Sequence, residues 1–428
     1  MNYQQCLKYL EHIQNLGIKF GLDNVQTVLS SFNNPHQKYA SVSVAGTNGK
    51  GSVCAMLTKV LSLHDLRVGL FTSPHLIKVE ERIRIGYKPI PRQSFCQNLT
   101  ALRERIEKLI ADKKLLAPPT YFELLTCLAL LYFEKKEVDI AVLEVGMGGR
   151  FDATNVIMPA VSVITTISEE HQEYLGESLS QIAFEKAGIV KAGVPVVCGA
   201  EKDEAYATIK KKAEELQAPF HGVFSRKGDF LVAKKTQKYS FVYRSYGEKY
   251  VFSPFLRGEH QGKNAAVAIV ASEQLSENWR KLEKGKIVEG IRKANWPGRL
   301  EVVSRRPLTL LDGAHNVEGA QALRKYIQDF CPSPLVLVFA IMRDKEIDKI
   351  ANILFPLAEQ VILTKFPYFR ASSPEEIEQK SLPFKDRIRL EPDVRKAFNM
   401  AQRCAGDEGC VLVTGSLFLV GEIKKLFA

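Results

Sequence analysis

Lys50 and Ser52 stand in the loop Gly46-Thr47-Asn48-Gly49-Lys50-Gly51-Ser52, between a valine- and serine-rich run at 41–45 and an apolar helical pattern at 53–63. Strand, glycine loop and helix in that order make a phosphate cradle. Backbone N–H groups and the positive helix end face the anion, Lys50 reaches terminal phosphates, and Ser52 can ligate a metal. The spacing is irregular: Val44 occupies the place of the usual first glycine, and Gly51 separates the lysine from the hydroxyl. An ordinary glycine turn between a strand and a helix is the competing reading.

Other residues with chemical potential fall at the carboxyl ends of apolar runs, where ligands gather in open α/β sheets. Thr72-Ser73-Pro74-His75 presents hydroxyls, Glu144 precedes the glycine loop 145–150, and Ser168-Glu169-Glu170-His171 closes a further run. Magnesium on ATP takes few protein ligands, mostly carboxylate and hydroxyl oxygens, so Glu144 is a natural candidate. His171 is a candidate too, although histidine is an unusual magnesium ligand and a capping or core role competes equally. Glu123 stands on a helical pattern whose buried stripe is Phe122, Leu125, Ala129 and Phe133, which leaves it on the flank. Lys186, by default, is a solvated helix lysine. Asp312-Gly313-Ala314-His315-Asn316 offers a carboxylate for a ribose hydroxyl and a histidine for a phosphate. A plain Asp-Gly turn with Asn316 as a helix cap fits those residues as well.

Alternating strands and helices must position these residues. Apolar strand candidates at 67–71, 139–144, 160–167 and 194–198 alternate with helical stretches, which predicts a mostly parallel sheet covered on both faces. The segment 223–252, with Gly228 and Gly247 between short alternating runs, predicts antiparallel hairpins. A second series, at 308–311, 335–339, 360–363 and 410–413, predicts a smaller Rossmann-like α/β domain. Trp296-Pro297-Gly298 marks the boundary, dividing an ATP-binding phosphate-loop domain at 1–295 from a carboxyl-terminal domain at 296–428.

The chain has 428 residues, 46% apolar and 25% charged, as expected of a water-soluble globular protein of two domains. No apolar run approaches the ~20 residues that span a bilayer, and the first residues read as an amphipathic helix rather than an export signal. Eight scattered cysteines form no CxxC pair, which predicts reduced, buried thiols. The net charge of +11 raises the question of nucleic acid. However, Lys210-Lys211-Lys212 lie among glutamates, and no aromatics interleave with the basic residues. An acidic small substrate accounts for the surplus equally well.

The motifs in order are AGTNGKGS at 45–52, TSPHL at 72–76, ERIRI at 81–85, TYFE at 120–123 and LEVGMGGRFDATN at 143–155. EKAGIVK at 185–191, HQGKNAA at 260–266, WPGRLE at 296–301, DGAHN at 312–316 and TGSLFLVGE at 414–422 follow. In this series the chain resembles the folylpolyglutamate synthase/dihydrofolate synthase family of the Mur-ligase type, over nearly its whole length. The GGRFDA form resembles bacterial, bifunctional members.

The resemblance implies an ATP-dependent amide ligase that joins L-glutamate to dihydropteroate or to folate. It implies that Gly46, Thr47, Asn48, Gly49, Lys50, Gly51 and Ser52 hold the phosphates, with Ser52, Ser73, Glu144 and His171 around Mg2+, for which two sites are open. Lys186 matches a lysine that is commonly carbamylated, and a monovalent cation is a further expected cofactor. Lys50, Glu144, His171 and Lys186 would carry the catalysis. Asn264, Arg299, Asp312 and His315 match ATP-binding positions, and Phe122, Asp152 and Ala153 match positions lining the pterin pocket. A cytoplasmic monomer without nucleic-acid or membrane partners is the corresponding expectation.

Two residues depart from the family pattern. Glu170 replaces an aspartate, and Ala340 replaces a strand-end glycine, which restricts the backbone if positive φ is needed there. A peptidoglycan-precursor Mur ligase is disfavoured because only 45 residues precede Gly46, too few for its additional amino-terminal domain. A phosphate-loop motor or nucleic-acid regulator would leave the later motifs unexplained.

Overall fold

The computed structural model describes residues 1–14, 21–170, 172–236 and 238–427. The first sheet contains β1 (Ala40–Ala45), β2 (Val68–Phe71), β3 (Ile83–Ile85), β4 (Lys88–Pro89), β5 (Ile140–Glu144), β6 (Val161–Ile164), β7 (Val196–Cys198) and β8 (Phe220–Gly222). Their order is β4-β3-β2-β5-β1-β6-β7-β8. From β2 to β8 neighbouring strands run parallel, and β3 and β4 add an antiparallel edge.

The central strands β1, β2 and β5 are runs of Val, Ile, Leu, Ala and Ser, buried almost throughout, because helices cover both faces. Successive residues serve opposite faces. Leu70, Ile140 and Val142 pack with Val53, Leu57 and Val60 of the helix Lys50–Ser62 and with Ile287 and Ile291 of the helix Lys284–Lys293. Phe71, Ala141 and Leu143 pack with Leu125, Leu128 and Phe133 of the helix Tyr121–Lys135. This division between faces bears on the substrates below.

A small sheet of β9 (Phe230–Lys234), β10 (Tyr239–Ser245) and β11 (Glu248–Phe252) is antiparallel, as expected for this segment. Phe230, Phe241 and Phe252 stack at centroid distances of 5.6 Å. Gly262 lets Phe241 lie on the helix Glu259–Asn278, since a Cβ there would stand 2.2 Å from the ring. The preceding strand β8, just ahead of that segment, joins the first sheet in parallel.

The third sheet contains β12 (Glu301–Arg305), β13 (Leu308–Leu311), β14 (Leu335–Phe339), β15 (Gln360–Leu363), β16 (Ile388–Leu390) and β17 (Cys410–Thr414), in the order β12-β13-β17-β14-β15-β16. All neighbours are parallel except β12 and β13. The chain thus has an amino-terminal, mostly parallel α/β domain and a second carboxyl-terminal α/β domain. Among the described residues no helix is long and apolar enough to cross a membrane. Six of the eight cysteines are buried, while Cys331 is half-buried and Cys404 exposed.

Candidate active site

The loop after β1 turns on two glycines. Gly46 has φ +145° and Gly49 φ +86°, and a Cβ at Gly46 would stand 1.9 Å from Thr165 Oγ1. Thr165 secures the loop by donating its hydroxyl to the Asn48 carbonyl at 2.6 Å. The helix Lys50–Ser62 begins at this loop, so its unpaired N–H groups and positive end face the cleft. Lys50 Nζ donates to the carbonyls of Gly46 and Thr47, at 2.9 and 3.0 Å.

Lys186 was expected on solvent, yet it is buried and donates to the same Gly46 carbonyl at 2.9 Å. Burial pushes its pKa down to about 7, and the neighbouring Lys50 ammonium adds to that effect. Two lysines therefore converge on one carbonyl oxygen, an arrangement that a solvated helix face would not produce.

Glu144 ends β5 and is buried; its Oε2 accepts the Ser73 N–H at 3.0 Å. Burial raises its pKa, opposed by Lys50, the Ser73 N–H, Arg299 and Arg82. Ser52 is buried beside it along the cleft. Among the described residues no group of three or more His, Cys, Asp or Glu side chains gathers as a protein-only metal cage. A buried carboxylate that lines the same cleft as two hydroxyl residues nonetheless suits magnesium on a nucleotide, which needs only one or two protein oxygens. His171 lies outside the described residues.

Asp152 is buried and braces the glycine loop. Its carboxylate accepts the N–H groups of Gly146, Met147 and Thr154 and the Thr154 hydroxyl, at 2.6 to 3.0 Å. Burial raises its pKa against those four hydrogen bonds. Ala153 is buried next to it, and Phe122 covers Gly146, where a Cβ would stand 2.6 Å from the ring. Glu123 is buried rather than on a flank. With Thr120 it forms a capping box, accepting the Thr120 N–H at 2.7 Å, a T-x-x-E signal present in the sequence.

The second domain closes the cleft. Asp312 accepts the N–H groups of Leu300 and Ala314, both at 2.9 Å, which ties the domain-linking segment to the end of β13. Leu300 is buried at φ +45°, a left-handed conformation for a branched side chain that this anchoring sustains. Asn264 donates to Gln261 at 3.0 Å, and its carboxamide oxygen abuts Gly49. His315 donates its Nδ1–H to the Gly313 carbonyl, 2.8 Å away, and its Nε2 lies 3.2 Å from Glu170.

The cleft measures about 460 Å³ and is lined by Lys50, Ser52, Ser73, Glu144, Asn264, Arg299, Asp312 and His315, drawn from both domains. Phe122, Asp152, Ala153 and Lys186 do not line it. Phosphate loop, strand-end carboxylate and a junction of two α/β domains thus converge.

A family model for the Mur ligase middle domain matches residues 44–272, and one for the Mur ligase glutamate ligase domain matches 298–417. The chain belongs to the Mur ligase family. Within it, this ligase is 34% identical over 427 residues to the dihydrofolate synthase/folylpolyglutamate synthase of Bacillus subtilis, covering 99% of this chain and 98% of the relative. Among solved structures it resembles Mycobacterium tuberculosis folylpolyglutamate synthase complexed with ADP, with TM-score 0.91, 29% identity and coverage of 100% and 99%. It also resembles E. coli FolC in complex with DHPP and ADP, with TM-score 0.87, 26% identity and coverage of 98% and 97%.

Several residues of the ligase's junction escaped the sequence reading. Glu318 accepts from Asn48 at 2.7 Å and from Ser168 at 2.8 Å, while Asn316, expected as a helix cap, caps the helix Val317–Phe330 and also donates to Asn48 at 3.0 Å. Lys345 reaches Glu170 at 3.3 Å. The departure at Glu170 thus meets two residues of the second domain. The one at Ala340 brings no left-handed backbone, since Ala340 is absent from the positive-φ residues. His260, inside the HQGKN motif, lines the cleft with Nδ1 unsatisfied, and burial lowers its pKa to about 4. Only a buried polar atom without a partner reveals it, which no spacing rule detects.

Proposed function

We propose that the protein is an ATP-dependent ligase that adds L-glutamate to dihydropteroate and to the γ-carboxyl of tetrahydrofolate, through an acyl phosphate, releasing ADP and phosphate. The observation that carries this reading is the placement of the phosphate loop, Glu144 and the Asp312–His315 turn along one interdomain cleft. The named activities of the relatives support it.

A carboxylate is a poor electrophile and does not condense with an amine in water. Phosphoryl transfer from ATP converts it to an acyl phosphate, the amine attacks the acyl carbon, the C–N bond forms, and the C–O bond to phosphate breaks as the amine loses a proton. Lys50 and the loop N–H groups offset the charge that keeps two anions apart. Ser52, Ser73, Glu144 and His171 would hold magnesium, whose positive charge on the phosphates would further favour transfer. Asn264, Arg299, Asp312 and His315 hold the nucleotide across the junction; Phe122, Asp152 and Ala153 line the pterin site. Lys186, with a pKa near 7, carries neutral amine at physiological pH, the form that adds CO2 to become a carbamate. We place the domain boundary at 295/296 and expect a cytoplasmic monomer.

Phosphate release with glutamate and either dihydropteroate or tetrahydrofolate tests the reading. Activity with both acceptors is expected; activity with one removes the bifunctional reading, and activity with neither overturns the assignment. Lys50→Ala should abolish most turnover with an unchanged unfolding midpoint, and near-normal ligation in that variant would remove Lys50 from the mechanism.

A further inference from the structure

A second hollow, of about 270 Å³, opens off the nucleotide cleft. The two share Gly51, Ser73, Glu144 and Arg299, so this is where the hollow meets the cleft. Away from that neck its charged side chains are Arg84, Lys424 and Glu81. Glu81 is already engaged, because its carboxylate accepts the N–H groups of Leu76, Ile77 and Lys78 at 3.0 to 3.2 Å. His75 in the wall accepts from Arg82 at 2.9 Å. Away from the neck the hollow thus presents two cations and one carboxylate that backbone N–H groups already engage, with the Glu144 carboxylate at its neck.

Arg84 is held for recognition. It donates to the carbonyls of Glu81 and Tyr87, at 2.7 and 3.1 Å, and lies over the Trp296 ring at 5.3 Å. A guanidinium fixed in this way loses little freedom on meeting a carboxylate. Lys424 comes from the second domain, where it pairs with Glu301.

The hollow also lies on a particular face of the first sheet. Arg84 sits directly opposite Leu70 in the β2–β3 pair, so both point to one face, the one covered by the helices Lys50–Ser62 and Lys284–Lys293. Phe122 and Ala153 pack with Phe71 on the opposite face, beneath the helix Tyr121–Lys135. A pteridine held there and an occupant of the hollow approach the strand ends from opposite sides.

We infer that the hollow binds the amine donor, an α-amino dicarboxylate, with its carboxylates toward Arg84 and Lys424 and its amine toward the neck, where the hollow meets the nucleotide cleft. This assignment rests on the ligase reading above. It adds the residues that select an acidic amino acid as donor: two cations drawn from the two domains, so that the site is complete only when the domains are together.

Arg84→Met and Lys424→Met keep the apolar stems and remove the charges. Steady-state kinetics with each acceptor should show KM for glutamate raised about tenfold or more in either variant. KM for ATP and for both acceptors should stay within about twofold, and Arg84→Lys should recover part of the loss. An unchanged KM for glutamate in both variants overturns the inference. A rise confined to KM for tetrahydrofolate, with dihydropteroate unaffected, also overturns it and assigns the hollow to the acceptor's terminal glutamate. ADP titration and the unfolding midpoint of each variant identify a folding defect, in which case Lys424→Gln and Arg84→Gln decide on the same KM criterion. Wild-type protein with no glutamate-dependent phosphate release would instead defeat the ligase reading itself.

Discussion

Replacing Lys186 with methionine should stabilise the ligand-free protein while abolishing ligation. Lys186 is buried, and its pKa falls from 10.5 to about 7, first through burial and then through Lys50. That gap of 3.5 pH units, at about 1.4 kcal/mol each, sets an upper bound of about 5 kcal/mol on what the buried ammonium costs the native state. Below pH 7 the amine is protonated in native and unfolded chains alike, and the whole cost is present. Between about pH 7 and 10.5 the unfolded chain holds a proton that the native one lacks, so this group makes stability rise with pH. Above 10.5 both forms are neutral and the cost is gone.

Lys186→Met lacks that slope, and the Gly46 carbonyl keeps its hydrogen bond from Lys50. Urea unfolding in CO2-free buffers should therefore show the variant about 2–5 kcal/mol more stable than wild type at pH 6, with the advantage shrinking steadily towards pH 10. Stability–pH curves that run parallel over this range would refute the argument, because Lys186 would then titrate as an exposed lysine. Adding bicarbonate near pH 8 should stabilise wild type and leave the variant unmoved.

Three further outcomes follow from the geometry. Gly46→Ala combines φ +145° with a 1.9 Å approach to Thr165, whereas Gly193→Ala has φ +70° and open space. The former should weaken ADP binding at least about tenfold, and the latter should cost only about 1–2 kcal/mol in urea unfolding with binding intact. Glu318→Ala removes the acceptor shared by Asn48 and Ser168, so turnover should fall about tenfold while the unfolding midpoint barely moves. In Asp152→Asn an amide NH2 must face N–H donors, which should cost about 1–3 kcal/mol and raise KM for the pteridine acceptor more than KM for ATP.

What the sequence disclosed follows the range of the interactions concerned. The phosphate loop was readable because its chemistry is backbone chemistry between neighbours, as was the alternation of strands and helices. The strand β3 was not, because Ile83-Arg84-Ile85 is a three-residue run with a charge at its centre. Lys186 resembled any helix lysine, since its burial depends on the Gly46 carbonyl 140 residues away. The seam of Asn48, Ser168 and Glu318 spans 150 and 270 residues, beyond any local pattern. Thr120 and Glu123 are the contrary case, a capping box with a local signature that a search for catalytic carboxylates passed over.

The first sheet also explains why such a ligase needs a second domain. Its two faces are packed by different helices, so a pteridine beside Phe122 and a donor beside Arg84 would be separated by buried strands everywhere except at the carboxyl ends of β1, β2 and β5. Those ends carry the phosphate loop, Ser73 and Glu144, and one sheet cannot cover its own strand ends. The segment from Trp296 to Leu300 supplies the cover, with Trp296 against Arg84, Arg299 in both hollows and Leu300 pinned to Asp312. An acyl phosphate formed there would be reached by the donor from one face and shielded from water by the second domain. Opening the junction would therefore release phosphate by hydrolysis rather than by ligation. Glu318→Ala should accordingly raise the ratio of phosphate released to amide formed, and a ratio equal to that of wild type would detach the seam from this protective role.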